Sequence, residues 1–205
     1  MQNAKYLWYF LLAVYSVVLI ILELQTSQEH IRNYFTDIQG PVRFYAVNTT
    51  LSVMLLWATA LIFLIARHCD GQARRRERSW FYLSQAVLFF CLGIDDRFQF
   101  HEWAAFRLDI PDHYVLILVG LAEVGCLLYW RRVLFSNRTA VSNLVLGGAL
   151  FLVMLGIDAL APEKQILRLS LEDLCKAWSA MFFCFYGWAF LQREIEQLRK
   201  EGGQA

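Results

Sequence analysis

The stretch that decides the fold is residues 80–102, WFYLSQAVLFFCLGIDDRFQFHE. It starts as an apolar helix and runs into a dense group of charged and polar residues at Asp95. Only 15 residues, 80–94, precede that aspartate, whereas a helix needs about 20 apolar residues to cross a hydrocarbon layer. We therefore expect the helix to continue through Asp95 as far as Glu102, which places charged side chains inside a membrane.

The whole chain has the composition of a membrane protein. Of its 205 residues, 58% are hydrophobic and 18% are charged, whereas about 25% are charged in soluble domains. The net charge of +1 gives no basis for nucleic-acid binding. Gly147, Gly148 and Gly156 indicate close helix packing. We expect an all-α fold with one domain, residues 1–205, a polytopic bundle of six transmembrane helices at 6–24, 44–66, 80–102, 114–130, 141–160 and 171–191.

Basic residues orient the predicted bundle, because cytoplasmic loops carry an excess of Lys and Arg. One side holds 12 basic residues and the other side holds 6. The larger set consists of Lys5, Arg67, Arg74, Arg75, Arg76, Arg78, Arg131, Arg132, Arg138, Arg193, Arg199 and Lys200. We therefore expect both termini in the cytoplasm. Residues 192–201 are predicted to prolong the last helix, since acids and bases alternate there at helical spacing.

Acidic residues collect in the outer half of the predicted bundle. Glu123 lies near the middle of the fourth span, where a carboxylate costs ~2.5–3.5 kcal/mol. No residue within a turn of its own helix can pair with it, so it needs a partner from another helix or stays protonated. We expect Glu23 at the interface and Asp158 facing water. Ser170 is placed to cap the last helix.

The segment 94–102 concentrates the candidate site residues. In a continuous helix Asp95, Gln99 and Glu102 form one stripe, with Asp96 and His101 flanking it on opposite sides. Carboxylates and an imidazole suit a divalent metal ion without selecting among zinc, manganese, calcium and iron. We predict Asp95 and Glu123 as catalytic groups, and the metal ligands as Asp96, His101, Glu102 and Glu172.

Structural explanations compete with this site. Lys176 is spaced to pair with Glu172 and Asp173, and acids in the first turn of a helix meet the positive end of its dipole. Arg97 can neutralise Asp96 in an ion pair. The same carboxylates and imidazole could also relay protons instead of binding a metal.

Residues 92–102, LGIDDRFQFHE, resemble the D-[DE]-x-x-x-x-H-E signature of small multi-pass bacterial membrane proteins that are largely uncharacterised. Those proteins often carry a second acidic pair at the start of the last span, which LEDL at 171–174 resembles. The resemblance covers spans three to six and implies a bacterial inner membrane protein, with no assigned activity. A remote likeness is to alkaline ceramidase-like membrane hydrolases, but one intramembrane histidine rules out their three-histidine zinc site.

Three functions fit this pattern. The first is a metal-assisted hydrolase of a lipid or lipid-linked substrate near the outer leaflet. The second is a proton- or ion-coupled small transporter in which Glu123 and Asp95 titrate, and six spans would suffice there in a homo-oligomer. The third is a non-catalytic membrane subunit or assembly factor whose polar residues fix helix packing.

Overall fold

The chain is almost entirely α-helical in the computed structural model, which describes residues 2–31, 33, 35, 46–70, 76–162 and 166–202. No strand occurs among these residues, so the predicted all-α class is confirmed. The helices are α1 (Gln2–Gln25), α2 (Gln28–Ile31), α3 (Val47–Asp70), α4 (Arg76–Phe98), α5 (Phe100–Leu108), α6 (Asp112–Tyr129), α7 (Arg131–Leu134), α8 (Arg138–Leu160) and α9 (Arg168–Gly202).

Four of these helices, α1, α3, α8 and α9, are long and apolar enough to cross a membrane. A fifth candidate arises if α5 and α6 count as one segment, although the two helices meet at a bend of 113°. Helix α4 does not reach the same standard, because charged residues stand at both of its ends. The described residues therefore contain four or five apolar candidates where the sequence predicts six spans.

Helix boundaries depart from the sequence prediction in one important place. The helix predicted over 80–102 starts earlier, at Arg76, and stops at Phe98. A new helix, α5, follows it and was not expected. Elsewhere, α3 runs past the predicted end at residue 66 to Asp70; residues 44 and 45 of that predicted span lie outside the described residues. The predicted prolongation of the last helix is confirmed, since α9 reaches Gly202.

The contacts within the chain divide it into two compact units. That these units form one domain stays a prediction. The first unit consists of Met1–Leu51 and Leu150–Trp178. Its core contains Leu19, Ile31 and Leu174. The indole N–H of Trp178 adds a hydrogen bond of 3.0 Å to Ser16 Oγ.

The second unit consists of Ser52–Ala149 and Ser179–Ala205. Its core is built around the ring of Phe63, whose centroid lies 5.1 Å from that of Tyr186 and 6.0 Å from that of Phe89. All three side chains are buried. Aromatic pairs at these separations add to the stability that burial alone provides.

Helices α8 and α9 approach closely at Gly147, within the second unit. Ser179 Oγ donates a hydrogen bond of 2.7 Å to the carbonyl oxygen of Gly147. A Cβ atom added to Gly147 would lie 2.8 Å from the ring of Phe183. At Gly148 and Gly156 it would meet no atom of the described residues within 4 Å. Among these three glycines, the predicted close packing is therefore found at Gly147.

Replacing Gly147 tests this contact. Gly147→Ala should lower the free energy of unfolding by about 1–3 kcal/mol, because overpacking outweighs the gain in helix propensity. Gly148→Ala is the matched control and should leave stability unchanged or raise it by about 0.5–1 kcal/mol. Thermal unfolding in one detergent compares the two variants. Equal melting temperatures would contradict the close approach.

Candidate functional site

The break between α4 and α5 is made by Gln99. Its backbone lies in the left-handed region, with φ 54° and ψ 42°. That conformation costs a residue with a side chain roughly 1–2 kcal/mol. The amide of Gln99 donates to the carbonyl oxygen of Asp95 at 2.7 Å, so α4 closes normally before the chain changes direction. A strained residue of this kind is often found at a functional site.

The break brings His101 onto Asp95. The backbone N–H of His101 donates to Asp95 Oδ1 at 2.8 Å, and the imidazole Nδ1 lies 2.8 Å from Oδ2 of the same carboxylate. In a continuous helix these residues would be about 9 Å apart along the axis and about 120° apart around it. The two side chains therefore meet only because the helix is interrupted between them.

This pairing sets the chemistry of the imidazole. An ionised carboxylate only accepts hydrogen bonds, so this contact favours the tautomer with the proton on Nδ1, in which Nε2 is the nitrogen that can take up a proton. A carboxylate in this position also stabilises the imidazolium that forms when Nε2 takes up a proton. Both side chains are partly accessible, with 17% of His101 and 22% of Asp95 exposed. The pair has the geometry of a general base.

The predicted stripe and the residues beside it are rearranged at the same break. Asp96 is buried on α4 and accepts a hydrogen bond from the hydroxyl of Ser52 on α3. Glu102 accepts from Gln99 Nε2 at 2.8 Å. The single stripe of Asp95, Gln99 and Glu102, predicted for a continuous helix, is therefore wrong, because α4 ends before Gln99.

The predicted metal ligands are not gathered by the contacts that the structure describes. Asp96, His101 and Glu102 each bind a different partner in the second unit, and Glu172 belongs to the first unit. No three His, Cys, Asp or Glu side chains in the described ranges are grouped so that they could hold a metal ion. The divalent ion stays a prediction.

Glu123 has a partner from another helix, one of the two outcomes that the sequence analysis allows. Its Oε1 accepts from Gln85 Nε2 of α4 at 2.7 Å. The carbonyl oxygen of Gln85 accepts in turn from the hydroxyl of Tyr186 on α9 at 3.1 Å. Gln85 and Tyr186 are fully buried. The three side chains tie α4, α6 and α9 together within the second unit.

A second buried carboxylate lies near the Arg-rich end of α4. Glu194, in the part of α9 that prolongs the last predicted span, is 2% exposed. It accepts a hydrogen bond of 2.7 Å from the hydroxyl of Tyr82, and Arg78 Nη1 lies 3.5 Å away. Sequence reasoning missed both Gln85 and Glu194. An isolated amide within a span was the available signal for Gln85; for Glu194 the sequence carries no such signal.

The first unit holds its own acidic residues at the start of α9. Glu23 is buried and accepts from the backbone N–H of Leu167 at 3.0 Å and from the hydroxyl of Ser170. The carboxylate of Glu23 thus bonds the backbone amide at the start of α9, near the positive end of the dipole of that helix. Its expected position at the membrane interface stays a prediction. Ser170 consequently bonds to Glu23 and does not take the predicted capping role.

Asp158 and Glu172 lie in the same unit. Asp158, which was expected to face water, is bonded by Arg168 Nη2 at 3.1 Å through its carboxylate and 3.2 Å through its carbonyl. Glu172 interacts electrostatically with both residues, and also with Asp173 and Lys176. These charge interactions fit the structural ion-pair explanation of Glu172 better than a role as an isolated metal ligand.

Two substitutions of Glu123 distinguish a structural role, in which it bonds to Gln85, from a catalytic role. Glu123→Gln keeps an acceptor for the Gln85 amide and should retain both stability and activity. Glu123→Ala leaves that buried donor unsatisfied and should lower the free energy of unfolding by about 1–3 kcal/mol. Thermal unfolding measures the change in stability of each variant. A loss of activity in Glu123→Gln with unchanged unfolding would support the predicted catalytic role.

Comparison with known proteins places the chain in a family. Neither a curated protein nor a solved structure matches it. The model of one family, described as a domain of unknown function (DUF8692), matches residues 7–190. Since the match covers most of the chain, the protein belongs to the DUF8692 family.

Proposed function

We propose that the chain is a six-span protein of the bacterial inner membrane, with both termini in the cytoplasm. The four helices that are long and apolar enough to cross a membrane would supply most of the spans. Helices α4 and α6 would supply the others, since α4 carries 15 consecutive residues without charge at 80–94. The basic residues around the start of α4 support a cytoplasmic position for that end. The break at Gln99 then lies toward the outer face.

At that outer position, the function that the geometry supports best is hydrolysis of a lipid or lipid-linked substrate. The observation that carries it is the Asp95–His101 pair, in which one carboxylate is 2.8 Å from both the backbone N–H and the imidazole Nδ1 of His101. A positioned base of this kind accelerates proton transfer by about 10²–10⁴-fold. A lipid ester or phosphodiester linkage at headgroup depth would be within its reach.

The proposed reaction uses water as the nucleophile. His101 Nε2 takes one proton from the water as its oxygen forms a bond to the carbonyl carbon or phosphorus. The imidazolium, stabilised by Asp95, returns that proton to the alcohol oxygen as the ester bond breaks. No step is assigned to a metal ion, because the described side chains do not bring the predicted ligands together.

A non-catalytic membrane subunit is the second candidate, and specific contacts favour it. Ser52–Asp96, Gln85–Glu123 and Tyr82–Glu194 each join two helices of the second unit. Such ties are what this hypothesis expects of polar residues. The transporter hypothesis gains less support, since the amide of Gln85 stands between Glu123 and Tyr186 and does not readily pass on a proton.

Substitution of the pair tests the proposed hydrolysis. Purified protein is reconstituted in vesicles of bacterial polar lipid extract, and products are identified by mass spectrometry. Asp95→Asn and His101→Gln should each reduce the rate by about 10²–10⁴-fold. Asp109→Asn removes an exposed carboxylate from the far end of α5 and should leave the rate unchanged.

Several outcomes would contradict this function. Wild-type rates in His101→Gln would remove the imidazole from the chemistry. The non-catalytic subunit would be favoured if the wild-type protein converts no lipid and the Asp95→Asn variant melts at a lower temperature than wild type. Elemental analysis of the same preparation tests for the predicted divalent ion. If a stoichiometric metal is found and a chelator removes both the metal and the activity, the metal-assisted mechanism would be supported instead.

The six-span topology makes an independent prediction. Reporter fusions that are active only outside the cytoplasm should work after Pro111 and fail after Asn137 and after Gly202. A four-span arrangement in which α4 stays on the cytoplasmic side would instead make the fusion after Pro111 inactive. Periplasmic alkaline phosphatase activity, normalised to the amount of fusion protein, distinguishes the two arrangements.

A further inference from the structure

Helix α5 has two chemically different faces. Phe100, Trp103 and Phe106 follow each other at intervals of three residues, which places them within about 120° of the helix circumference. His101 and Ala105 project from the other side. Ala105 is buried, so this second side packs against the protein. The side that carries the three aromatic residues points away from it.

The aromatic face is strongly exposed. Phe106 is 83% exposed, Trp103 61% and Phe100 52%. Phe98, just before the break, is 64% exposed and its ring centroid lies 5.9 Å from that of Phe100. Water would be a poor environment for four adjacent aromatic rings, because burying each one is worth about 1.5–3 kcal/mol.

A positive charge accompanies these rings. The guanidinium carbon of Arg107 lies 5.2 Å from the centroid of the Trp103 ring. Cation–π contacts at exposed sites hold such a charge in place with about 0.5–1 kcal/mol. A surface of Trp and Phe with an arginine at its border is the composition of helices that lie in the headgroup region of a bilayer.

The direction of α5 agrees with that position. The bend of 113° to α6 puts α5 close to perpendicular to that helix. If α6 crosses the bilayer close to its normal, α5 therefore runs closer to the membrane plane than to the normal. Leu118 and Leu121 of α6 are exposed, as the lipid-facing residues of a spanning helix would be.

We propose that α5 is an interfacial helix, which inserts Phe100, Trp103 and Phe106 into the outer leaflet and binds phospholipid phosphate through Arg107. It thereby holds His101, on its opposite side, at the depth of the lipid headgroups. This inference rests on the proposed membrane topology, and it does not depend on the hydrolysis.

A second copy of the chain is the competing occupant of this face. The four rings offer on the order of 500 Å² of exposed surface, given about 150–250 Å² for each aromatic side chain. A stable interface buries about 800 Å² on each partner. The face alone is therefore too small for a stable dimer, whereas a lipid surface needs no such minimum and meets the arginine with phosphate.

Photo-crosslinking identifies the occupant directly. Phe106→p-benzoylphenylalanine is prepared in nanodiscs of phosphatidylcholine and phosphatidylglycerol, irradiated and measured by intact mass spectrometry. The expected product carries the added mass of one phospholipid. Arg107→Gln in the same protein should shift the adducts away from phosphatidylglycerol, because the attraction of its anionic headgroup is reduced.

Two further probe positions separate the outcomes. Leu118→p-benzoylphenylalanine on α6 should give lipid adducts, and Glu196→p-benzoylphenylalanine in the exposed part of α9 should give none. Adducts at Leu118 without adducts at Phe106 would overturn the interfacial helix while leaving the topology intact. A covalent dimer from Phe106 would assign the face to a second copy. Loss of adducts at both positions would overturn the membrane topology itself.

Discussion

The interaction on which the proposed site depends is the acceptance of two hydrogen bonds by one carboxylate, that of Asp95, from the backbone and the ring of His101. Residues six positions apart cannot meet on an uninterrupted helix. The left-handed Gln99 makes the contact possible, and its conformational cost is offset by the hydrogen bonds that follow. The same break ends α4, starts α5 and turns the aromatic face of α5 outward.

A related constraint acts on the other buried polar groups, since a carboxylate removed from water must be bonded. Asp96 bonds to Ser52, Glu123 to Gln85, and Glu194 to Tyr82 in the second unit; in the first, Glu23 bonds to the start of α9. These contacts join helices and give Asp96, Glu123, Glu194 and Glu23 bonded partners. They leave Asp95 and His101 as the pair whose geometry suits proton transfer.

The sequence predicted those features that follow from average properties over many residues. Long apolar blocks predicted helices, and the mixed charges of 192–201 predicted the extension of α9. The absence of a local partner for Glu123 correctly required a bond from another helix. The break at Gln99 could not be foreseen, because a non-glycine residue with positive φ is imposed by the surrounding structure. Gln85 and Glu194 were missed because burial of an isolated polar residue depends on which helices become neighbours.

The most direct test is the distance between the imidazole Nδ1 of His101 and the carboxylate of Asp95, measured in protein embedded in a bilayer. Solid-state NMR with ¹⁵N-labelled histidine and ¹³C-labelled aspartate, assigned by loss of the signal in Asp95→Asn, measures it. We predict direct hydrogen-bond contact, with Nδ1 protonated and 2.8 Å from a carboxylate oxygen. A helix that continues through Gln99 would instead hold the two residues about 9 Å apart along its axis, and that result would contradict the account.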